Sequence, residues 1–230
     1  MSTMRSSTSR HSERQSVVRR TATFAVAGLL FFLLTVIIAQ LVRPDLSPAR
    51  DFLSAYALGS SRLIMTAGFV AVGVSILLLT VGLWRYGMVN RSGKIGAWIL
   101  GVAGVAMLGV AVFPAEIDVP DPSIIGQFHD LSALVHFFAM AIGALLVSLS
   151  FRQDAQWSQY ARSEAVLAVA IVVAFLLFFI VYPLQAGSEP SVAQLRPVIG
   201  IYQRALIFFV WLWLIVTAVR LRHLAGGLSA

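Results

Sequence analysis

Apolar residues in this chain come in nearly unbroken blocks rather than at alternating positions. An α-helix rises about 1.5 Å per residue, so crossing a hydrocarbon layer about 30 Å thick takes about 20 apolar residues. Six blocks reach that length: 21–42, 63–84, 95–113, 131–151, 164–184 and 199–221. Barrel strands would alternate between lipid-facing and lumen-facing residues, and these blocks do not. Helices also satisfy their own backbone where no water is present. The expected fold is therefore all-α, a polytopic bundle of six transmembrane helices. The fourth block is the most polar, with His136 and Ser148, but it is still long enough for a full crossing.

Residues 1–20 break the pattern, being rich in Ser, Thr and Arg with almost no apolar residue before Val17. Such a segment buries too little to fold alone and is expected to be a disordered basic cytoplasmic tail. The alternative, a secretory signal, fits poorly. The apolar run that follows exceeds the roughly 7–15 residues of a signal core, and no small-residue cleavage pattern comes after it. The first span reads as a retained anchor, and residues 223–230 as a short second cytoplasmic tail.

Composition agrees: 59% of the 230 residues are hydrophobic and 12% charged, with a mean hydropathy of +0.86. Soluble domains are nearer 45–50% and 25%. With no cysteine, disulfides, thiolate nucleophiles and Cys metal ligands are excluded. The net charge of +7 and a pI near 10.8 raise the question of nucleic acid, but position answers it. With the N-terminus cytoplasmic, twelve Lys and Arg fall in inner segments and four in outer ones, with Arg204 inside the sixth span. Basic residues in short loops orient a membrane protein. The charge therefore predicts a multi-pass protein of the cell (inner) membrane with both termini cytoplasmic, attracted to anionic lipid and not to nucleic acid. Seven of the ten acids lie on the outer side. Acids contribute little to topology, so that side is the place to look for chemistry or an interaction surface.

Small residues mark where helices approach closely. Ala97, Gly101, Gly104 and Ala111 share a face of span three, as Ala67, Ala71 and Ser75 do in span two. Packing within the chain is the expected use, with a homo-oligomer or a membrane-protein partner as the alternative. Trp84, Tyr86 and Trp98 read as interfacial aromatics.

The polar residues most suggestive of a site lie in the outer half. Glu116 and Asp118 precede span four. His129 and His136 are seven apart, so they share a helical face, with His136 about 10 Å deeper. Asp130 adjoins the first imidazole, and Tyr202 and Arg204 enter at the outer part of span six. An ionisable residue within a span is a functional-site candidate by default. An Arg–carboxylate clamp closing the bundle is the structural alternative for Arg204. His129, His136 and an outer carboxylate are the candidate zinc ligands. Two His on one helix cannot clamp opposite faces of a haem iron. No cofactor is expected.

Four ordered segments carry a resemblance: Leu53–Gly59 before span two, Val112-Phe-Pro closing span three, His129 to His136, and Tyr202-Gln-Arg204. Together they make the chain similar, from about Leu41 to Arg222, to the bacterial and archaeal six-span proteins catalogued as domain of unknown function 998. That resemblance implies a six-helix bundle and no established activity. The family's acidic residue directly after Phe-Pro has either Glu116 or Asp118 as its counterpart here. Membrane hydrolases of the alkaline-ceramidase type are a weaker likeness, since they hold zinc with several His beside a Ser and an Asp.

Three functional expectations follow. The preferred one is a non-enzymatic bundle whose outer-half pocket binds a lipid headgroup or small ligand, or assists a membrane partner, with Arg204 holding an anionic group. The second is a metal-dependent membrane hydrolase using His129, His136 and an outer carboxylate. The third is a transporter or proton-coupled carrier, against which stand the lack of mid-membrane charge in other spans and of an inverted repeat.

Overall fold

The computed structural model describes residues 2–88, 90–117, 119–186 and 198–227. Among these, six long α-helices and four short 3-10 turns make up the regular structure. The helices are α1 (Ser2–Val42), α2 (Arg62–Tyr86), α3 (Arg91–Val112), α4 (Ile124–Ser150), α5 (Ala161–Ala186) and α6 (Ile199–Gly227). Each contains a stretch long and apolar enough to cross a membrane. Large side chains such as Phe24, Leu63, Trp98 and Val112 are exposed on the outside of the bundle. Helices apolar on the outer as well as the inner face belong in lipid. The chain is thus a multi-pass membrane protein.

Consecutive helices pack against one another, and α6 returns against α1 and closes the ring. With six crossings, the first and last helices share one end, called here the terminal end. The α1–α2 and α3–α4 connections lie at the opposite, distal end. Close approach is built into the α2–α3 seam. A Cβ on Gly73 would stand 3.1 Å from the Gly104 carbonyl oxygen, and one on Gly104 would meet Leu77. The small-residue face of span three is therefore used within the chain at Gly104, and Ala97 is fully buried.

Helix ends follow local chemistry. Asn90 caps α3, its Oδ1 accepting from Gly93 N at 2.8 Å. Its amide nitrogen donates to the Ser150 carbonyl at 3.2 Å and Gln153 Oε1 at 3.0 Å, tying the start of α3 to the end of α4. Ser123 caps α4 through its hydroxyl, which accepts from the backbone of Ile125 and Gly126. That cap starts the fourth helix seven residues before the expected boundary at 131. Gly87, with φ +100°, ends α2 in the left-handed region.

The N-terminal segment differs from the sequence expectation. Residues 1–20 were expected to be a disordered tail, yet α1 is continuous from Ser2. The reason is packing. Val18, Ala22, Ala25 and Leu29 form one buried stripe that carries the inward face of the span beyond the membrane block. Arg14 donates through Nε to the Arg85 carbonyl and through Nη2 to that of Tyr86 at 3.4 Å. Extending a helix already nucleated in the membrane needs only one more hydrogen bond per residue fixed. The C-terminal segment behaves likewise: α6 runs to Gly227, past the boundary expected at 223, with Ala225 buried.

Candidate functional site

A cavity of about 70 Å³ lies inside the ring towards the distal end. Its walls come from α1 (Leu29, Phe32), the α1–α2 connection (Leu53, Ser54), α2 (Phe69, Val72) and α3 (Met107, Val110). They are completed by α4 (His129, Ala133, His136, Phe137) and α6 (Gln203, Ile207, Val210, Trp211, Leu214). About 10–15 Å³ of such space holds one water. The cavity therefore has room for several waters or a small molecule, but not for a phospholipid headgroup with its glycerol.

Two polar groups on its wall have a defined orientation. His129 Nδ1 lies 2.8 Å from the Phe113 carbonyl oxygen, and His136 Nδ1 lies 3.0 Å from that of Ala103. A carbonyl only accepts, so Nδ1 carries the proton in each ring and the neutral imidazole keeps Nε2 as an acceptor. Both residues are buried, and the shared face expected from their seven-residue spacing is what brings both to one cavity. Gln203 supplies the complementary function. Its Oε1 accepts from Leu53 N at 2.7 Å, which fixes the amide's orientation and leaves the NH₂ as a donor on the cavity wall. The indole of Trp211 donates to the Leu29 carbonyl at 2.9 Å and holds α6 against α1. His129 also borders a second, open hollow of about 630 Å³ between the start of α2 and the end of α3, where Arg62 is exposed. One imidazole thus stands between the interior cavity and the distal surface.

The other expected site residues do not join this pair. Glu116 serves the α4 cap: its Oε1 accepts from the Ser123 hydroxyl at 2.6 Å and its Oε2 from Ser123 N at 2.7 Å. Those two bonds hold its carboxyl below the usual carboxylate range. Asp130 follows His129 in sequence but is exposed, because adjacent residues on a helix point about 100° apart. Asp118 lies outside the described residues. Tyr202 is half-buried and does not line the cavity.

Arg204 is also turned away from the histidines. Its Nη1 donates to the carbonyls of Asp51 at 2.7 Å and Gly200 at 3.3 Å. Its guanidinium carbon stands 5.6 Å from the ring centre of the buried Tyr56. Arg204 therefore fastens the α1–α2 connection to α6, and the anionic group expected beside the histidines has no cation there. The clamp is made by Nη1 to backbone carbonyls, with the guanidinium near an aromatic face, and not to the outer carboxylate of the structural alternative; Nε and Nη2 are buried without a hydrogen-bond partner. In the same connection, Arg43 and Asp45 form an ion pair at 2.7 Å.

No group of three His, Asp or Glu side chains capable of holding a metal occurs among the described residues. An imidazole held at Nδ1 by a carbonyl is oriented as metal-bound His often is. Here, however, Glu116 is bonded to Ser123, and Asp121 and Asp130 are exposed.

Two buried polar groups carry little signal in the sequence. Gln203 sits between two singled-out residues, and only the helical phase of α6 distinguishes it from Arg204. Glu164 was counted as the start of a span and Arg220 as an orientation charge, yet they pair at 2.8 Å. The Thr217 hydroxyl donates to the other Glu164 oxygen at 3.0 Å. For the pair, that signal is positional: opposite charges at the start of α5 and near the end of α6 must lie at one level in an antiparallel pair.

Comparison with known proteins agrees with this architecture. A family model described as a protein of unknown function (DUF998) matches residues 25–220. No curated protein and no solved structure matches the chain.

Proposed function

The chain belongs to the DUF998 family, and from that premise we propose that it is a non-enzymatic membrane binding protein. Its central cavity takes a small neutral molecule with an apolar body and one or two hydrogen-bonding groups. One observation carries the reading: two buried imidazoles, each with Nδ1 committed to a backbone carbonyl, line the same apolar cavity, and each keeps Nε2 as its remaining acceptor. A hydroxyl or N–H on the ligand donates to Nε2, and the Gln203 amide donates in return. An unpaired buried acceptor costs about 1–3 kcal/mol, so each of these groups discriminates between a ligand that matches it and one that does not. The distal hollow beside His129 gives the ligand its way in. The distribution of basic residues supports a cell-membrane location with the terminal end in the cytoplasm, so that this hollow faces outward.

Phenol and toluene test the reading, having similar shape and differing in the donor. Phenol is expected to raise the thermal unfolding midpoint of the purified protein in detergent more than toluene does. His136→Leu is expected to abolish the difference. Equal effects of the two probes on the wild type, or an undiminished preference for phenol in His136→Leu, would refute it.

A further inference from the structure

A groove of about 870 Å³ runs along the lipid-facing surface where α2, α3 and α4 meet. Its origin can be read from two glycines. At Gly104 the two helices close, a Cβ there standing 2.9 Å from Leu77 Cγ. At Gly101, nearly a turn towards the terminal end, a Cβ would meet only Thr80 Cγ2 at 3.7 Å. The seam is therefore shut at one level and notched at the next. Trp84 and Trp98 meet edge to face at 5.7 Å near the terminal end of the groove, and beyond Thr80 the α2 and α3 walls are aliphatic.

Of the polar residues lining this groove, Arg85, Thr80 and Ser132, one is charged. Arg85 lies at its mouth, exposed, and also borders a polar hollow of about 230 Å³ on the terminal face. That hollow includes Arg14 and Asp154. The Asp154 carboxylate is engaged, one oxygen accepting from the backbone of Gln156 and Trp157. Thr80, five residues nearer the distal end, lies about 7.5 Å deeper along the helix. Its hydroxyl is buried without a hydrogen-bond partner. Elsewhere in the chain Thr35 and Ser75 return theirs to a carbonyl in the preceding turn, each at 2.7 Å. The Thr80 methyl, and not its hydroxyl, stands at the notch, its Cγ2 being 3.7 Å from a Cβ built on Gly101, so Thr80 adds an apolar wall there.

We propose that the groove and the adjoining hollow form a site for one anionic glycerophospholipid. From the membrane surface inward, such a molecule presents a phosphate, then an ester carbonyl, then an alkyl chain. The protein presents a guanidinium, then two indoles, then an apolar trough at a glycine notch. Arg85 pairs with the phosphate, and the acyl chain passes Trp84 and Trp98 into the notch. The remaining headgroup occupies the polar hollow beside Arg14. This site is separate from the central cavity and does not depend on it.

Brominated lipids test it, because bromine on an acyl chain quenches tryptophan emission at short range. The full chain is placed in phosphatidylcholine vesicles carrying a small fraction of brominated phosphatidylglycerol or, in parallel, of brominated phosphatidylcholine. One basic residue near the surface corresponds to a preference of about fivefold for the anionic lipid. Arg85→Gln is expected to remove that preference. Gly101→Leu is expected to lower quenching by both lipids, and Gly101→Val provides a milder change should the larger side chain prevent folding. Replacing Trp84 and Trp98 by Phe is expected to remove the lipid-specific component. Equal quenching by the two lipids in the wild type would overturn the proposal. So would a preference that survives Arg85→Gln, or a specific component that survives loss of both tryptophans.

Discussion

The Glu164–Arg220 pair allows a prediction whose asymmetry comes directly from burial. Glu164 has no exposed side-chain surface, whereas Arg220 retains 21% of its own. Arg220 also lies 4.7 Å over the Tyr160 ring. Replacing Arg220 by Met leaves a fully buried carboxylate with one neutral donor, Thr217, and no countercharge. Breaking a buried pair from one side costs about 3–5 kcal/mol, and this geometry sits towards the upper part of that range. Glu164→Leu differs in kind. The arginine left behind is near the terminal end of α6 and can extend to water, keeping its stem against the bundle. The leucine also fills the vacated apolar site, so the expected cost is about 1–2 kcal/mol, chiefly the lost charge-assisted hydrogen bonds.

The double variant Glu164→Leu/Arg220→Met removes both the charges and the penalty of desolvating them. It is expected to recover most of the loss seen in Arg220→Met, because hydrophobic replacement of a whole buried pair is often neutral. The assay is reversible unfolding in mixed micelles with increasing denaturing detergent, followed by tryptophan fluorescence and far-UV circular dichroism. Equal destabilisation by the two single variants would refute the reasoning from burial. A double variant as unstable as Arg220→Met would refute the assignment of the cost to an uncompensated buried carboxylate.

Two other predictions concern the distal end. Arg204→Ala removes the 2.7 Å bond to the Asp51 carbonyl. It is expected to cost about 1.5–3 kcal/mol and to speed amide deuterium exchange across residues 51–58 without altering phenol binding in the cavity; unchanged exchange would sink the clamp. Ser123→Ala is expected to destabilise α4 by about 1 kcal/mol through loss of its cap. The Glu116 carboxyl is held below the usual carboxylate range by Ser123, so its contribution is complete above the ordinary carboxylate pKa and fades as pH falls through the lowered one. Acid should therefore loosen the start of α4 in the wild type but not in Glu116→Gln, as amide exchange at 124–128 would show.

The six helices were legible because membrane length and continuous apolarity act over twenty residues and override local preference. The His129–His136 pair was legible for a similar reason, since one helix turns at a fixed rate and seven residues return a side chain to the same face. What the sequence could not supply was the phase of one helix against another. Gln203 and Arg204 are neighbours in the sequence, yet Gln203 lines the cavity and the Arg204 guanidinium reaches the Asp51 carbonyl. Charge drew attention to the arginine, whereas packing chose the glutamine. Glu116 shows a second limit. A carboxylate ahead of a polar helix reads as chemistry, but a helix that begins at Ser123 needs its first N–H groups satisfied, and the cap uses that carboxylate. The tail shows a third: composition alone describes residues 1–20 as a disordered basic tail, while Val18 and Arg14 dock its second half on α1's neighbours. In each case the decisive partner comes from another part of the chain, so the burial pattern of neutral polar residues, rather than the count of charges, locates the cavity.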